Sequence, residues 1–208
     1  MLDRIHYISQ GNTVEDHFTC IQQVLDAGGR LIQLRYKNKH EIYPLAEKVK
    51  LLCENYEATL IINDFVDVAK EVDADGLHLG LNDATVENAR TILGNDKIIG
   101  GTANTLKDVQ QRIDEKCTYI GLGPFRYTTT KEKLSPILGL ESYQSILSEV
   151  KNTIPIYAIG GIHTSDVKAI LKTGIYGIAL SGLITQSDDK KELIKELNTI
   201  IHGSIKNS

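Results

Sequence analysis

The chain has no apolar stretch near the about 18 residues that a membrane-crossing helix needs, which argues against a helical membrane span. Cysteine is scarce as well. Cys20, Cys53 and Cys117 stand far apart with no paired spacing, which excludes a disulfide framework or a zinc knuckle and fits reduced cytosolic thiols. The first residues, MLDRIHYISQGN, lack the basic-then-apolar order of a signal peptide, so a cytoplasmic location is expected. Basic charge is also in deficit, with 23 Lys and Arg against 27 Asp and Glu for a net charge of -4. This argues against a general nucleic-acid or membrane-surface binder, though not against a local basic pocket for an anion. No low-complexity tract or linker interrupts the 208 residues, so a single domain over 1–208 with one large core is expected. No Ser/His/Asp or Cys/His arrangement is readable. None of His6, His17, His40, His78, His163 and His202 is assigned catalytic work.

What the chain does contain is a repeated alternation. Short apolar, β-branched runs occur at residues 5–8, 31–35, 59–62, 76–79, 97–100, 119–122, 156–159 and 177–180. Continuous rather than alternating hydrophobicity is what a parallel strand covered on both faces requires. Helical patterns separate the runs. Phe18, Ile21, Val24 and Leu25 lie at three- and four-residue spacing before Gly28-Gly29; Ile42, Leu45, Val49 and Leu52 repeat that pattern over 41–56. Thr164 or Ser165 can cap a helix carrying Val167, Ile170 and Leu171 that stops at Gly174. Eight β-α units in this length predict a (β/α)8 TIM barrel. A doubly wound open sheet is the alternative that alternation alone leaves standing.

In such a barrel the active site lies at the C-terminal strand ends, and here those ends are polar. Arg35 and Lys37 are alternate residues at the end of strand 2, so they share a face. An arginine fork with a lysine suits a diphosphate, while a solvated pair of charges is the plainer reading. Gln33, deeper on the same face, could read a heteroaromatic ring edge or satisfy a buried polar network. Asp64 and Asp83 end strands 3 and 4, where two carboxylates suit Mg²⁺ carrying waters and phosphate oxygens. Helix capping by either Asp is the competing role. Strand 6 runs into GPFRYTTTKEKLSP, in which Thr128, Thr129, Thr130 and Lys131 supply donors for phosphate oxygens. The segment from Arg126 to Pro136 is expected to close as a lid over a ligand. Gly160-Gly161 and Ser181-Gly182 end strands 7 and 8, the usual phosphate corner of such barrels.

Four segments in this order carry a resemblance over nearly the whole chain: QLRYK (33–37), NDFVDVAKEVDADGLHLGLND (63–83), YIGLGPFRYTTTK (119–131) and AIGGI (158–162). The chain resembles the thiamine phosphate synthase, or thiamine-phosphate pyrophosphorylase, family of transferases. That resemblance implies joining of 4-amino-2-methyl-5-(diphosphooxymethyl)pyrimidine to a thiazole phosphate, carboxylated or not. It implies that Gln33, Leu34, Arg35, Tyr36, Lys37, Asn63, Thr102 and Lys131 hold the pyrimidine diphosphate, with Arg35, Lys37 and Lys131 catalytic. Thr128, Thr129, Thr130, Gly161, Ser181 and Gly182 would hold the thiazole phosphate, and Asp64 and Asp83 the cofactor Mg²⁺. Partners are then small molecules rather than nucleic acid or membrane, and a homo-oligomer is compatible with the sequence. The family usually has serine at Thr102, glutamine at Leu81 and Val-Ser at Ser181-Gly182. Two alternatives stand beside the synthase. One is a thiazole tautomerase of the same barrel family, which uses a histidine in the loop where this chain has Phe125, Arg126 and Tyr127. The other is a non-catalytic thiamine-phosphate binding protein.

Overall fold

A computed structural model describes residues 2–127, 136–150 and 154–205. Eight parallel strands form a closed barrel in sequence order: β1 (Ile5–Ile8), β2 (Leu31–Leu34), β3 (Thr59–Asn63), β4 (Gly76–Leu79), β5 (Ile98–Ala103), β6 (Tyr119–Leu122), β7 (Ile156–Ile159) and β8 (Gly177–Leu180). Closure is made by β1 and β8, paired in parallel with His6 opposite Ala179. That closure removes the doubly wound sheet from consideration. The helices α1 (Val14–Asp26), α2 (Ile42–Asn55), α3 (Val66–Glu71), α4 (Val86–Leu93), α5 (Leu106–Asp114), α6 (Gly139–Glu149) and α7 (Thr164–Leu171) follow β1 to β7. After β8 come a short α8 (Gly182–Thr185) and the long α9 (Lys190–Ile205).

Strand side chains alternate between two cores, as a pleated backbone demands. The outer core, between strands and helices, holds Ile5, Tyr7, Ile32, Leu34, Leu60, Ile62, Leu77, Ile120 and Ile178 with the apolar faces of the helices. The barrel interior is built from Ile8, Leu31, Ile61, Tyr119, Tyr157 and Ala179. Two tyrosines fill most of its width, meeting edge to face at 5.6 Å. They fit because glycines stand opposite. A Cβ on Gly100 would lie 2.1 Å from Tyr119 Cζ, and one on Gly177 would lie 2.9 Å from Tyr157 Cε1.

Some boundaries differ from the sequence-based expectation for local reasons. Helix α1 starts at Val14, ahead of Phe18, the first apolar position of the sequence pattern, because Thr13 caps it and Asp16 reaches back to the Thr13 N–H at 3.0 Å. Strand β5 extends to Ala103, so Thr102 lies within a strand. Helix α7 is capped by neither Thr164 nor Ser165: His163 holds the cap position and its N–H donates to Asp166 Oδ2 at 2.8 Å. Strand β2 ends at Leu34, so Arg35 and Lys37 leave from the loop that follows it.

The interior packing generates a direct test. Gly100→Ala forces a methyl group into the Tyr119 ring, and overpacking of this kind destabilises by about 1–3 kcal/mol. Urea unfolding of the variant is expected to show a lower midpoint with an unchanged slope.

Candidate active site

Polar residues collect at the C-terminal mouth because the inward positions of β2, β3 and β5 become hydrophilic toward that end. Above Leu31 the inward position of β2 is Gln33, 2 % exposed; above Ile61 in β3 it is Asn63; above Gly100 in β5 it is Thr102. A hydrogen-bonded column rises through the barrel to this level. Tyr119 Oη and His78 Nδ1 are 3.0 Å apart, and His78 Nε2 and Thr102 Oγ1 are 3.0 Å apart. His78 therefore points into the barrel and is bonded there. Beneath it His6 is fully buried, and loss of hydration pushes its pKa down to about 3. It is a neutral part of the barrel floor.

The mouth has two regions. One is a cavity of about 850 Å³ over the ends of β1, β2, β6, β7 and β8, to which Arg35, Tyr36, Lys37, Gly161, Ser181 and Gly182 all contribute. The other is an acidic corner at β3 and β4. There Asp64 takes a left-handed backbone, φ 67°, while its N–H donates to His78 O at 2.9 Å. For a residue with a side chain that conformation costs on the order of 1 kcal/mol, and such strain concentrates at functional positions. Burial raises the Asp64 pKa to about 6, and the adjacent Asp83 carboxylate adds to the rise, while Arg35 opposes it. Neither Asp caps a helix. Phe65 precedes α3 without a side-chain cap, Thr85 caps α4, and Asp83 Oδ2 instead accepts the Gly80 N–H at 2.6 Å. Two crowded carboxylates with Asn63 beside them form a hard-oxygen donor set in need of positive charge, which fits Mg²⁺ shared with a ligand's phosphates.

Two buried or half-buried arginines fasten these loops. Arg112, 3 % exposed on α5, donates from Nε to Thr102 O at 3.1 Å and from Nη2 to Gly80 O at 2.9 Å, and pairs with Glu115 at 2.7 Å. Its side chain passes where Gly101 has none: a Cβ there would lie 2.6 Å from Arg112 Cδ. Arg126 makes a bidentate pair with Asp166 at 2.8 and 3.0 Å and donates to Gly161 O at 2.5 Å. It thereby fixes the Gly160-Gly161 turn, whose φ values of 94° and 65° favour glycine and where a Cβ on Gly161 would lie 2.9 Å from Arg126 Cβ.

The assigned residues thus divide. Arg35, Tyr36, Lys37, Gly161, Ser181 and Gly182 meet around the cavity; Asn63, Asp64, Asp83 and Thr102 lie at the acidic side of the mouth. Gln33 sits lower, 3.4 Å from His6 Nε2. Leu34 is corrected: its side chain is fully buried in the outer core, facing the helices, so only its backbone is available to a ligand. Thr128, Thr129, Thr130 and Lys131 lie outside the described residues, and with them the expected lid. The sequence reading passed over the loop after β1, although Ser9, Gln10, Gly11 and Asn12 line the cavity along with His17 and Gln186. The polar SQGN stretch directly after an apolar run was the available signal.

Fold and site together define a (β/α)8 barrel with a cavity and an acidic corner at the C-terminal strand ends. A family model described as "Thiamine monophosphate synthase" matches residues 5–205, and the chain belongs to that family. The thiamine-phosphate synthase of Flavobacterium johnsoniae is 53% identical over 210 residues, covering 99% of each chain. That of Flavobacterium psychrophilum is 56% identical over 203 residues, covering 95% of this chain and 98% of its own. Among solved structures, thiamine phosphate pyrophosphorylase from Pyrococcus furiosus has a TM-score of 0.84 at 30% identity, over 97% of this chain and 96% of that one.

The acidic corner has a pH signature in the ligand-free protein. Because the Asp64 pKa is about 6 in the fold and near the ordinary carboxylate value unfolded, the folded state binds more protons between roughly pH 4 and 6. Stability contributed by Asp64 therefore falls as pH rises through that window. Asp64→Asn removes the effect, so relative to the parent it is expected to gain about 1 kcal/mol between pH 4 and pH 7, solvent screening allowed for. Chemical denaturation at the two pH values measures it; an Asn variant that tracks the parent at both would show that Asp64 is not strained by its surroundings.

Proposed function

We infer that the protein is a thiamine phosphate synthase, a transferase that condenses the pyrimidine diphosphate with the thiazole phosphate and releases diphosphate. The observation carrying the site assignment is the place of Arg35, which lines the large cavity and acts electrostatically on Asp64 in the acidic corner. One cation thus stands between a space for organic rings and a pair of carboxylates, as a diphosphate joining the two would require.

The reaction breaks the bond between the pyrimidine methylene carbon and the diphosphate oxygen, the electron pair leaving with diphosphate. The thiazole nitrogen lone pair then forms the new C–N bond to the methylene, with loss of CO2 when the thiazole is carboxylated. The exocyclic amino group of the pyrimidine stabilises the positive charge in between, so the protein needs no strong acid or base. Its task is charge neutralisation and positioning. Arg35 and Lys37 hold the diphosphate from the β2 side, joined by Lys131. Asp64 and Asp83 would hold Mg²⁺, which when bound neutralises the leaving diphosphate. Asn63 and Thr102 contact the pyrimidine. The Gly161 turn with Ser181 and Gly182 receives the thiazole phosphate through backbone donors, together with Thr128, Thr129 and Thr130. Three free cysteines support a cytoplasmic setting, and among the described residues no helix is long and apolar enough to cross a membrane.

Incubation with both substrates and Mg²⁺ is expected to yield thiamine phosphate, with turnover abolished by excess chelator; full activity under chelation would remove the metal from the mechanism. Arg35→Ala is expected to lower kcat for the condensation by roughly ten- to a hundredfold, the worth of about 1.5–3 kcal/mol for a charged hydrogen bond that strengthens as diphosphate leaves. Asp64→Ala is expected to lose most activity while unfolding as a single cooperative transition, since it sits at the mouth rather than in either core.

A further inference from the structure

The end of the β1–β2 ladder is completed by side chains. Its last backbone rung pairs Ile8 with Gln33, and the Ser9 N–H donates to Gln33 O at 2.9 Å. The next donor along β2 is the Arg35 N–H, and by then β1 has ended. Ser9 Oγ takes the place of a strand carbonyl, accepting from Arg35 N at 3.0 Å. The same oxygen lies 2.8 Å from His17 Nδ1 on α1. A serine hydroxyl has one proton to give. The Arg35 N–H occupies one of the hydroxyl's two lone pairs, which leaves that proton free to point at Nδ1 when that nitrogen is bare. A hydrogen bond to the Gly11 backbone engages the imidazole as well. The Tyr36 ring closes over it edge-on at 5.1 Å. Ser9 and His17 are 2 % and 3 % exposed. This is no nucleophile and base: the neighbouring Asp16 carboxylate is spent on the Asn12 and Thr13 N–H groups at 3.0 Å.

We propose that Ser9 and His17 are positioning residues that fix the backbone of Arg35, and with it the guanidinium that meets the diphosphate, and that they do so with the imidazole neutral and protonated on Nε2. The proposal rests on the synthase reading for the role of Arg35; the clamp itself does not. The groups that set the charge of His17 agree with it. Burial lowers its pKa as the largest influence and Arg35, from the loop after β2, lowers it further; the Gly11 backbone and Asp16, on the same helix, pull the other way. Tyr36 faces it as a ring edge. His17 therefore takes up a proton at lower pH than a free imidazole does, and that proton reverses the hydrogen bond between Ser9 and Nδ1.

Nitrogen-15 spectra of the full chain read the tautomer directly. Nε2-protonated, neutral His17 at pH 7 is expected in the parent, and a proton on Nδ1 would overturn the proposal whatever the enzyme does. In steady-state assays Ser9→Ala and His17→Phe are expected to lower kcat/KM for the pyrimidine diphosphate by about tenfold, the order of one buried hydrogen bond, while KM for the thiazole phosphate moves by less than about twofold. His17→Gln keeps an acceptor for the Ser9 hydroxyl and has no proton to gain. It is expected to restore activity to within about threefold and to lose the part of the acid limb owed to His17. Folded Ser9→Ala and His17→Phe variants with unchanged kcat/KM would sink the idea, as would His17→Gln as damaged as His17→Phe. If the parent turns over neither substrate, the function fails, while the tautomer measurement still decides the clamp.

Discussion

A closed ring of eight parallel strands fixes the volume inside it, and that volume must be filled from alternate strand positions. Tyr119 and Tyr157 fill it here, in space that Gly100 and Gly177 leave open. The mouth stands on this arrangement. The Tyr119 hydroxyl is the partner of His78, and His78 is the partner of Thr102, so a polar side chain at the level of the substrates is held by a ring in the barrel's waist. A barrel filled by aliphatic side chains alone would be as tightly packed, but it would offer nothing to hold Thr102 in register.

Above that waist the chemistry calls for geometry more than for proton transfer. The leaving diphosphate needs positive charge at fixed places, and the thiazole needs an approach path to one carbon. The segments around the cavity and the acidic corner are each fastened by a side chain donating to or accepting from backbone. Ser9 holds Arg35, Arg112 holds Gly80 and Thr102, and Arg126 holds Gly161. They reach from three separate places, the loop after β1, helix α5 and the loop after β6. The site is thus tied to the framework at three separate points, and a shift in one loop leaves the other fastenings intact.

The eight strands and the order of the mouth were legible in sequence because a strand buried on both faces has to be apolar throughout, as Leu60-Ile61-Ile62 and Ile156-Tyr157-Ala158-Ile159 are. Arg35, Lys37 and Asp64 were legible because charge directly after such a run has few structural uses. Ser9 and His17 were not. Each is an ordinary residue by itself, and their meaning comes from a distance of 2.8 Å between a loop and a helix eight residues apart in the chain. Leu34 was misplaced because a contiguous motif ignores the pleat: Gln33 faces the barrel interior and Leu34 faces the helices. The cap of α7 was misread because the side chain that satisfies it, Asp166, lies inside the helix rather than before it.

Gly101 and Arg112 carry a consequence for how such a chain diverges. The guanidinium reaches the β4 and β5 loops only by crossing the space above a residue with no side chain, and Cys117 Sγ borders the same space, 3.0 Å from where a Cβ at 101 would be. Any larger residue at 101 collides with the arm at 112, and any shorter residue at 112 opens a void beside 101 while unpairing Glu115, Gly80 and Thr102. The two positions are therefore expected to change together. A lineage can exchange glycine with arginine for a bulky residue with a small one, but each intermediate between those pairings is the least stable member of its own history.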